Sequence, residues 1–462
     1  MTRILISHIL LLSCFLLSCN QKFAGPLHVS SSNPRYFTNR SQKAIYLTGS
    51  HTWNNLVHFD YQHDCPDLDY DNYLLFLKSH HHNFIRLWTW ELLNWDNDGV
   101  DTKDPQKFSV YPHPWKRTGP GLANDDRPKF DLNQFDPVYF TRLESRVKAA
   151  AAAGIYISVM LFEGYGTQFT NQGYQNHPFY PANNINNLPL DSSQETRLKI
   201  HQLLYPEILT IQETYVKHTL EALNKYDNVL YEISNENHPA STAWQYHMIE
   251  YIKKIEKSLP KQHPVGMTFQ FKGGSNETLF SSPADWISPN EEGGYKTKPP
   301  VAQGRKVIIN DTDHLWGIGG TEDWVWQSFF QGMNVIYMDP YQMAVYRGEY
   351  DQAVGETVRT AMGYTLMISD RIGLKDFHPA PDLCSTKYCL ANPAQAYLLY
   401  FNEDQAATLD LSDADEQSMF TVSAFHVGKG RFEKISLVHG GTKISLSLPG
   451  TDYLPILYLS QR

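Results

Sequence analysis

The chain has 462 residues, 42% hydrophobic and 19% charged, with a formal net charge of −10. That is long enough for one large domain plus a small one, and the composition is that of a folded globular protein rather than a disordered one. The negative charge argues against a nucleic-acid partner, which needs clustered cations. The 13% aromatic content, with 10 Trp and 28 Tyr, supplies rings able to stack on sugar faces, although most such rings fill cores.

In chain order, the first element is an address. Arg3 precedes an apolar stretch from Ile4 to Leu17 that is too short to span a membrane as a helix. Leu16, Leu17, Ser18 and Cys19 follow, a pattern that resembles the lipobox of bacterial lipoproteins. Residues 1–19 are thus expected to be a signal, with Cys19 the lipid-bearing first residue of an envelope protein, at the periplasm or the outer-membrane surface. Cys14 is the weaker candidate, and an ordinary cleaved signal peptide is the alternative. Export also permits disulfides; Cys384 and Cys389 are close enough in sequence to pair across a loop, leaving Cys65 free. No Cys/His set has zinc-finger spacing.

Alternating strand and helix patterns then fill residues 27–382. A hairpin of Arg35–Thr38 and Ala44–Leu47 leads into strand one, Ala44–Gly49, which ends at Ser50, His51 and Trp53. A helix is expected around Tyr70–His82. Strand two, Asn83–Trp88, carries Arg86 and ends at Trp90 and Glu91, followed by a long polar loop. In that loop Asn94, Asp96, Asp98 and Gly99 match the start of a calcium loop, but Pro105 stands where Glu is required, so the EF-hand reading fails. A helix over Pro137–Ala153, with Val138, Leu143 and Val147 at helical spacing, stops at Gly154.

Strand three, Ile155–Leu161, ends at Glu163, and a long loop precedes the helix Tyr205–Lys225. Strand four, Val229–Ile233, ends in Ser234, Asn235, Glu236, Asn237 and His238. Ser241 is a candidate cap for the next helix. Strands five to eight are Val265–Phe269, Asp285–Ser288, Lys306–Asn310 and Asn334–Met338, the last two ending at Asp311, Thr312, Asp313 and His314, and at Asp339. The helix Ala353–Ser369 completes a (β/α)8 TIM barrel. An open doubly wound sheet is the alternative, weakened by the lack of a glycine-rich phosphate loop after an early strand. Residues 383–462 change character to short alternating segments separated by turn glycines, the pattern of a small antiparallel β-sandwich without Trp.

Glycosidic cleavage needs one carboxyl to protonate the leaving group and a second to act at the sugar. Glu236, at a barrel strand tip beside the amide Asn235, suits the first role. Asp311 or Asp313 suits the second, with Asp311 preferred, and Asp313 sharing its face if the extended chain continues. A surface salt bridge is the alternative for Glu236; for the two aspartates the alternatives are that one is the nucleophile and the other orients it, or that both bind a cation. Glu91, Glu163 and Asp339 are further strand-end acids, Glu163 being the strongest rival. Arg86 is placed to hold a carboxylate ionised. His51, Trp53, Trp88, Trp90, His238, His314 and Trp316 are candidate sugar contacts. No metal or cofactor is called for.

These residues resemble clan A of the glycoside hydrolases, which includes the family 5 cellulases: Asn235–Glu236 end strand four, Arg86 lies on strand two, and a carboxylate follows strand seven. The resemblance implies an acid/base Glu236, a strand-seven nucleophile and retention of configuration. The chain departs from the clan in offering Asp311 and Asp313 where the clan uses Glu. The stretch Tyr388 to Pro393 with Tyr397 to Tyr400 is similar to the start of the C-terminal domain of apiosidase-like proteins, a domain that carries a collagen-binding label. The expectation is an exported glycosidase acting on a poly- or oligosaccharide. A non-catalytic glycan-binding lipoprotein on a degenerate barrel and a polysaccharide lyase are the alternatives.

Overall fold

A computed structural model describes residues 23–61, 66–96, 107–170, 172–342, 352–402 and 404–462. The expected signal with Cys14 and Cys19 lies outside the described residues, as do Cys65 and the stretch from Asp98 to Pro105. Among the described residues no helix is long and apolar enough to cross a membrane.

Eight parallel strands form one sheet: β1 (Thr48–His51), β2 (Phe84–Leu87), β3 (Tyr156–Glu163), β4 (Val229–Asn235), β5 (Val265–Thr268), β6 (Trp286–Ser288), β7 (Val307–Asp311) and β8 (Asn334–Met338). β8 pairs with β1 from Val335–Thr48 to Met338–His51. Asn83 bridges the remaining seam: its N–H donates to the Thr48 carbonyl at 3.0 Å, and its side chain accepts from the Thr48 N–H at 2.9 Å. Gly49 permits this approach, because a Cβ there would meet the Phe84 carbonyl oxygen at 2.0 Å. The TIM barrel expected from the alternation is therefore present, with β8 bounded as predicted and β1 starting four residues later.

The floor is closed by His28–Val29 paired with Phe37–Thr38, while Phe37 bridges to Ile45. The expected partner strand Ala44–Leu47 thus contributes only that bridge. Leu27, Phe37 and Leu47 pack there on Phe84, Tyr156, Leu230, Trp286 and Val307.

Local chemistry explains the helices. α1 spans Tyr70–Ser79. α2 spans Pro137–Ala153 because Asp136 accepts the Val138 N–H at 2.8 Å, Pro137 opens the first turn, and Gly154 closes it at φ 79°. Its buried stripe is Tyr139, Phe140, Leu143, Val147 and Ala150. Of the expected stripe, Leu143 and Val147 are buried, whereas Val138 is 60% exposed. α3 spans Pro206–Leu223 and α4 Thr242–Glu256. Ser241 precedes α4 but gives no side-chain cap; its hydroxyl donates to the His238 carbonyl at 2.6 Å. α5 (Asn276–Ser281) and α6 (Glu322–Phe330) are additional to the expected helices, while α7 (Gln352–Ile372) is three residues longer at its end than expected. The long loop after β2 is not wholly irregular. Asn94–Asp96 and His58–Asp60 pair with Lys107–Tyr111, and Trp115–Leu122 pairs with Pro128–Phe135.

After the barrel come β9 (Cys389–Asn392), β10 (Ala396–Tyr400), β11 (Ala406–Asp410), β12 (Met419–His426), β13 (Arg431–His439), β14 (Lys443–Ser447) and β15 (Tyr453–Gln461). A six-stranded antiparallel sheet, completed by His378–Pro379 at its edge, faces the two-stranded sheet of β11 and β14. β9 and β13 are additional to the alternating segments expected at Ala396–Phe401, Ala407–Leu411, Phe420–Phe425, Lys443–Leu448 and Ile456–Leu459. β10 is buried on both faces: Leu398 and Tyr400 join the barrel core, whereas Tyr397 and Leu399 pack toward β11. Tyr400 donates to Asp323 of α6 at 2.6 Å. Cys384 and Cys389 are both buried free thiols, so the expected pairing is not made.

Candidate active site

Arg86 on β2 organises the C-terminal end of the barrel. Its guanidinium is 1% exposed and spends all five N–H donors. Nε and Nη2 hold Glu232 at 2.9 and 2.5 Å, Nη2 also reaches Asn235 Oδ1 at 2.6 Å, and Nη1 reaches Asp311 at 3.0 Å and Asp313 at 2.8 Å. Glu232 is the residue missed from the sequence. Its signal is legible there: a Glu inside the apolar run Val229–Ile233 must be buried, and a buried carboxylate requires a partner.

The two aspartates have different surroundings. Asp311 has no exposure and lies outside the pocket. Its oxygens take His51 Nε2 at 3.1 Å, Arg86, and the Asp313 N–H at 3.0 Å. Burial alone would raise its pKa, but His51 and Arg86 outweigh that and hold the carboxyl well below the usual range. His51 is oriented in turn, since Trp88 Nε1–H donates to its Nδ1 at 2.8 Å. The bond from Asp311 to the Asp313 N–H starts a 3-10 turn, Thr312–His314. The extended chain therefore ends at Asp311, and this turn, not strand alternation, delivers Asp313 to the pocket. Asp313 is pushed up to about 6 by burial and by Asp311, against the pull of Arg86.

Glu236 follows β4 at φ 43°, a left-handed conformation uncommon for a residue with a Cβ. Burial, then Asp313 and Glu163, raise its carboxyl well above the usual range. Glu236 and Asp313 line one pocket of about 500 Å³ with Asn235, His314 and the indoles of Trp53, Trp88, Trp90 and Trp316. Tyr165, Phe271 and Lys296 are among the wall residues that were not expected from the sequence. Asn235 Oδ1 accepts from both Arg86 and His314, leaving its N–H groups for a ligand.

The other expected site residues lie elsewhere. His51 serves Asp311 beneath the pocket. Glu91 is buried against His177 at 3.1 Å and His201 at 3.4 Å, which outweigh desolvation and lower it to about 2. Glu163 turns onto the Gly166 N–H, and burial raises it well above the usual range. His238 is buried outside the lining, and Asp339 is held by Arg359 at 2.6 and 2.7 Å.

Among the described residues, two groups have the residue types of a metal site: Glu91 with His177 and His201, and Asp311 with Asp313 and His314. Their hydrogen bonds argue against it. His177 Nδ1 accepts the Phe179 N–H at 3.0 Å, so the proton of the neutral ring sits on the Nε2 facing Glu91. His314 likewise accepts from Ser288 at Nδ1 and donates from Nε2 to Asn235 Oδ1. Neither Nε2 has a lone pair to offer without an imidazolate.

The fold and pocket define a TIM barrel with two unequal carboxyls at its C-terminal mouth. A family profile described as a domain of unknown function, DUF6298, matches residues 78–271. No curated protein matches the chain. Among solved structures, one titled "Glycoside hydrolase" superposes with a TM-score of 0.60 at 11% identity, covering 95% of this chain and 97% of that one. A glycoside hydrolase family 5 structure from Bacteroides vulgatus gives 0.60 at 13% identity, covering 95% and 94%. At such identities the likeness is one of fold, and it extends through both the barrel and the C-terminal sheets.

Proposed function

We propose that this protein is a glycoside hydrolase in which Glu236 is the proton donor and Asp313 the second carboxylate. One observation carries the reading. Two carboxyls share one aromatic-walled pocket in different environments: burial with Asp313 and Glu163 raises Glu236 well above the usual carboxyl range, while Arg86 pulls against the rise of Asp313. Glu236 gives its proton to the leaving oxygen. Asp313, aimed by Arg86 and by the bond from its N–H to Asp311, attacks or stabilises the anomeric carbon. Asp311, with its oxygens engaged, positions rather than reacts. The Trp53 and Trp316 rings supply faces for the sugar, and Asn235 a donor for a hydroxyl beside the reacting carbon.

Retention follows if Asp313 bonds the sugar, a geometry that needs carboxyls ~5–5.5 Å apart; inversion needs ~6.5–9.5 Å. The glycan-binding alternative predicts no carboxylate sharing the pocket with Glu236, and Asp313 does share it. A lyase needs a base. Both His314 nitrogens are engaged, and burial raises Tyr165 to about 12. Export through Cys19 and membrane anchoring remain part of the proposal; Cys19→Ser should abolish incorporation of labelled fatty acid.

The deciding experiment is a glycan panel read by released reducing ends, with the anomer of the first product followed by NMR. Wild-type protein should release sugar and Glu236→Gln should not. Equal release by both proteins would sink the assignment, and ultraviolet-absorbing products would favour a lyase.

A further inference from the structure

We propose that the long connection after β3, residues 164–205, clamps the Glu236 turn, with Gln168 and His201 as positioning residues. This rests on the reading of Glu236 as proton donor. A residue with a Cβ holds positive φ only where its surroundings over-determine it, and here two bonds from one connection grip the chain on either side of the Glu236–Asn237 peptide.

The first grip is on the backbone. Gln168 Nε2 donates to the Glu236 carbonyl at 2.9 Å and to the Gly164 carbonyl at 3.0 Å. Gly164 ties the connection down, its N–H donating to the Asn235 carbonyl at 2.9 Å. Only glycine fits there, because a Cβ would lie 2.4 Å from Asn237 Cα.

The second grip is on the next side chain. Asn237 Oδ1 accepts the His238 N–H at 2.9 Å, which fixes the amide orientation. Its Nδ2 then donates to Ser234 Oγ and to His201 Nδ1, both at 2.9 Å. An Nδ1 that accepts leaves the ring proton on Nε2, which faces Glu91 at 3.4 Å. Trp244 stacks on the ring with centroids 4.6 Å apart, so His201 is held in plane as well as in tautomer. Glu91 is a strand-end acid with no place in the pocket, and the clamp accounts for its burial. It lies 3.4 Å from His201 Nε2 and, by accepting the Glu163 N–H at 2.8 Å, fixes the start of the connection.

The direction of the Glu236 Cα–Cβ bond follows its backbone angles, so releasing the turn swings the carboxyl away from Asp313 and the sugar. Misplacement by ~1 Å can cost ~10²-fold in rate. The test uses three variants of the full chain. Gln168→Met keeps the volume and removes both donors. His201→Leu removes the acceptor, and His201→Asn restores one at the place of Nδ1. Crystal structures of Gln168→Met and of His201→Leu should show Glu236 leaving positive φ. On whichever glycan the wild type cleaves, kcat should fall ~10- to 100-fold with KM changed less than about twofold, while His201→Asn stays within about threefold of wild type. Retention of positive φ and of kcat in both Gln168→Met and His201→Leu overturns the clamp, as does a His201→Asn variant as impaired as His201→Leu. If His201→Leu does not fold, Gln168→Met decides alone. If the wild type cleaves no glycan, the reading of Glu236 as proton donor fails, and the φ of Glu236 in the variants still decides whether the clamp exists.

Discussion

The mouth of the barrel and the buried face of β10 are equally sealed from water by opposite means. β10 buries Leu398 and Tyr400 against the barrel, where each apolar group leaving water stabilises the fold. The mouth buries Arg86, Glu232, Asp311 and Asp313, whose charged forms lose hydration and recover it through the hydrogen bonds that Arg86 shares among them, beside Glu163 and Glu236, whose carboxyls burial raises. The first region serves the fold. The second is a cost to stability that the proposed roles of Glu236 and Asp313 account for.

The sharpest way to break this comparison is Arg86→Met. It leaves Glu232, Asp311 and Asp313 without their shared cation, so a loss of ~3–5 kcal/mol is expected in chemical denaturation together with all activity. A stable, active variant would show that the mouth is not organised by Arg86. Next is Glu236→Gln, expected to lower kcat by ~10²–10⁴-fold while stability holds or rises near pH 8, since a neutral amide replaces an acid whose charged form burial disfavours. Leu398→Ala is the reciprocal case. It should cost ~2–5 kcal/mol through its cavity and leave kcat per folded molecule unchanged.

Two smaller effects depend on pH. Activity should rise as Asp313 ionises, an acid limb near pH 6, and fall again as Glu236 loses its proton well above the usual carboxyl range. Removing Glu236 should abolish the alkaline limb. Glu163 gives the stability counterpart. Its folded pKa is raised, so below the unfolded value both states are protonated and nothing is lost. As pH rises past ~4.3 only the unfolded chain releases its proton, and stability falls by up to ~1.4 kcal/mol per unit of pH until the folded pKa is reached. Glu163→Gln should therefore raise the melting temperature more at pH 8 than at pH 4. An equal change at both values would remove the argument.

Much of this architecture is legible in the sequence because it depends on local chemistry. Asp136, Pro137 and Gly154 bound α2 to the residue, and Asn334–Met338 reads as β8 from its apolar run alone. Failures come where partners are distant. Val138 looks buried and is not, because it lies about 140° around the helix from Leu143, off the face that Leu143 and Val147 bury. Cys384 and Cys389 are five residues apart yet remain thiols. His51, Glu91 and Asp339 share the strand-end signature of Glu236, and only their partners Asp311, His201 and Arg359 show that they face away from the pocket.

The sequence by itself determined the barrel period, the polar tips of its strands and the acid at position 236, since apolar alternation and strand-end carboxylates are written in consecutive residues. How the surroundings of Asp311 and Asp313 differ belonged to the tertiary structure. Two carboxylates two positions apart are chemically alike along the chain. They become a positioning group and a pocket group only when His51 and Arg86, brought from β1 and β2, engage the oxygens of Asp311, and the turn that follows carries Asp313 to the pocket.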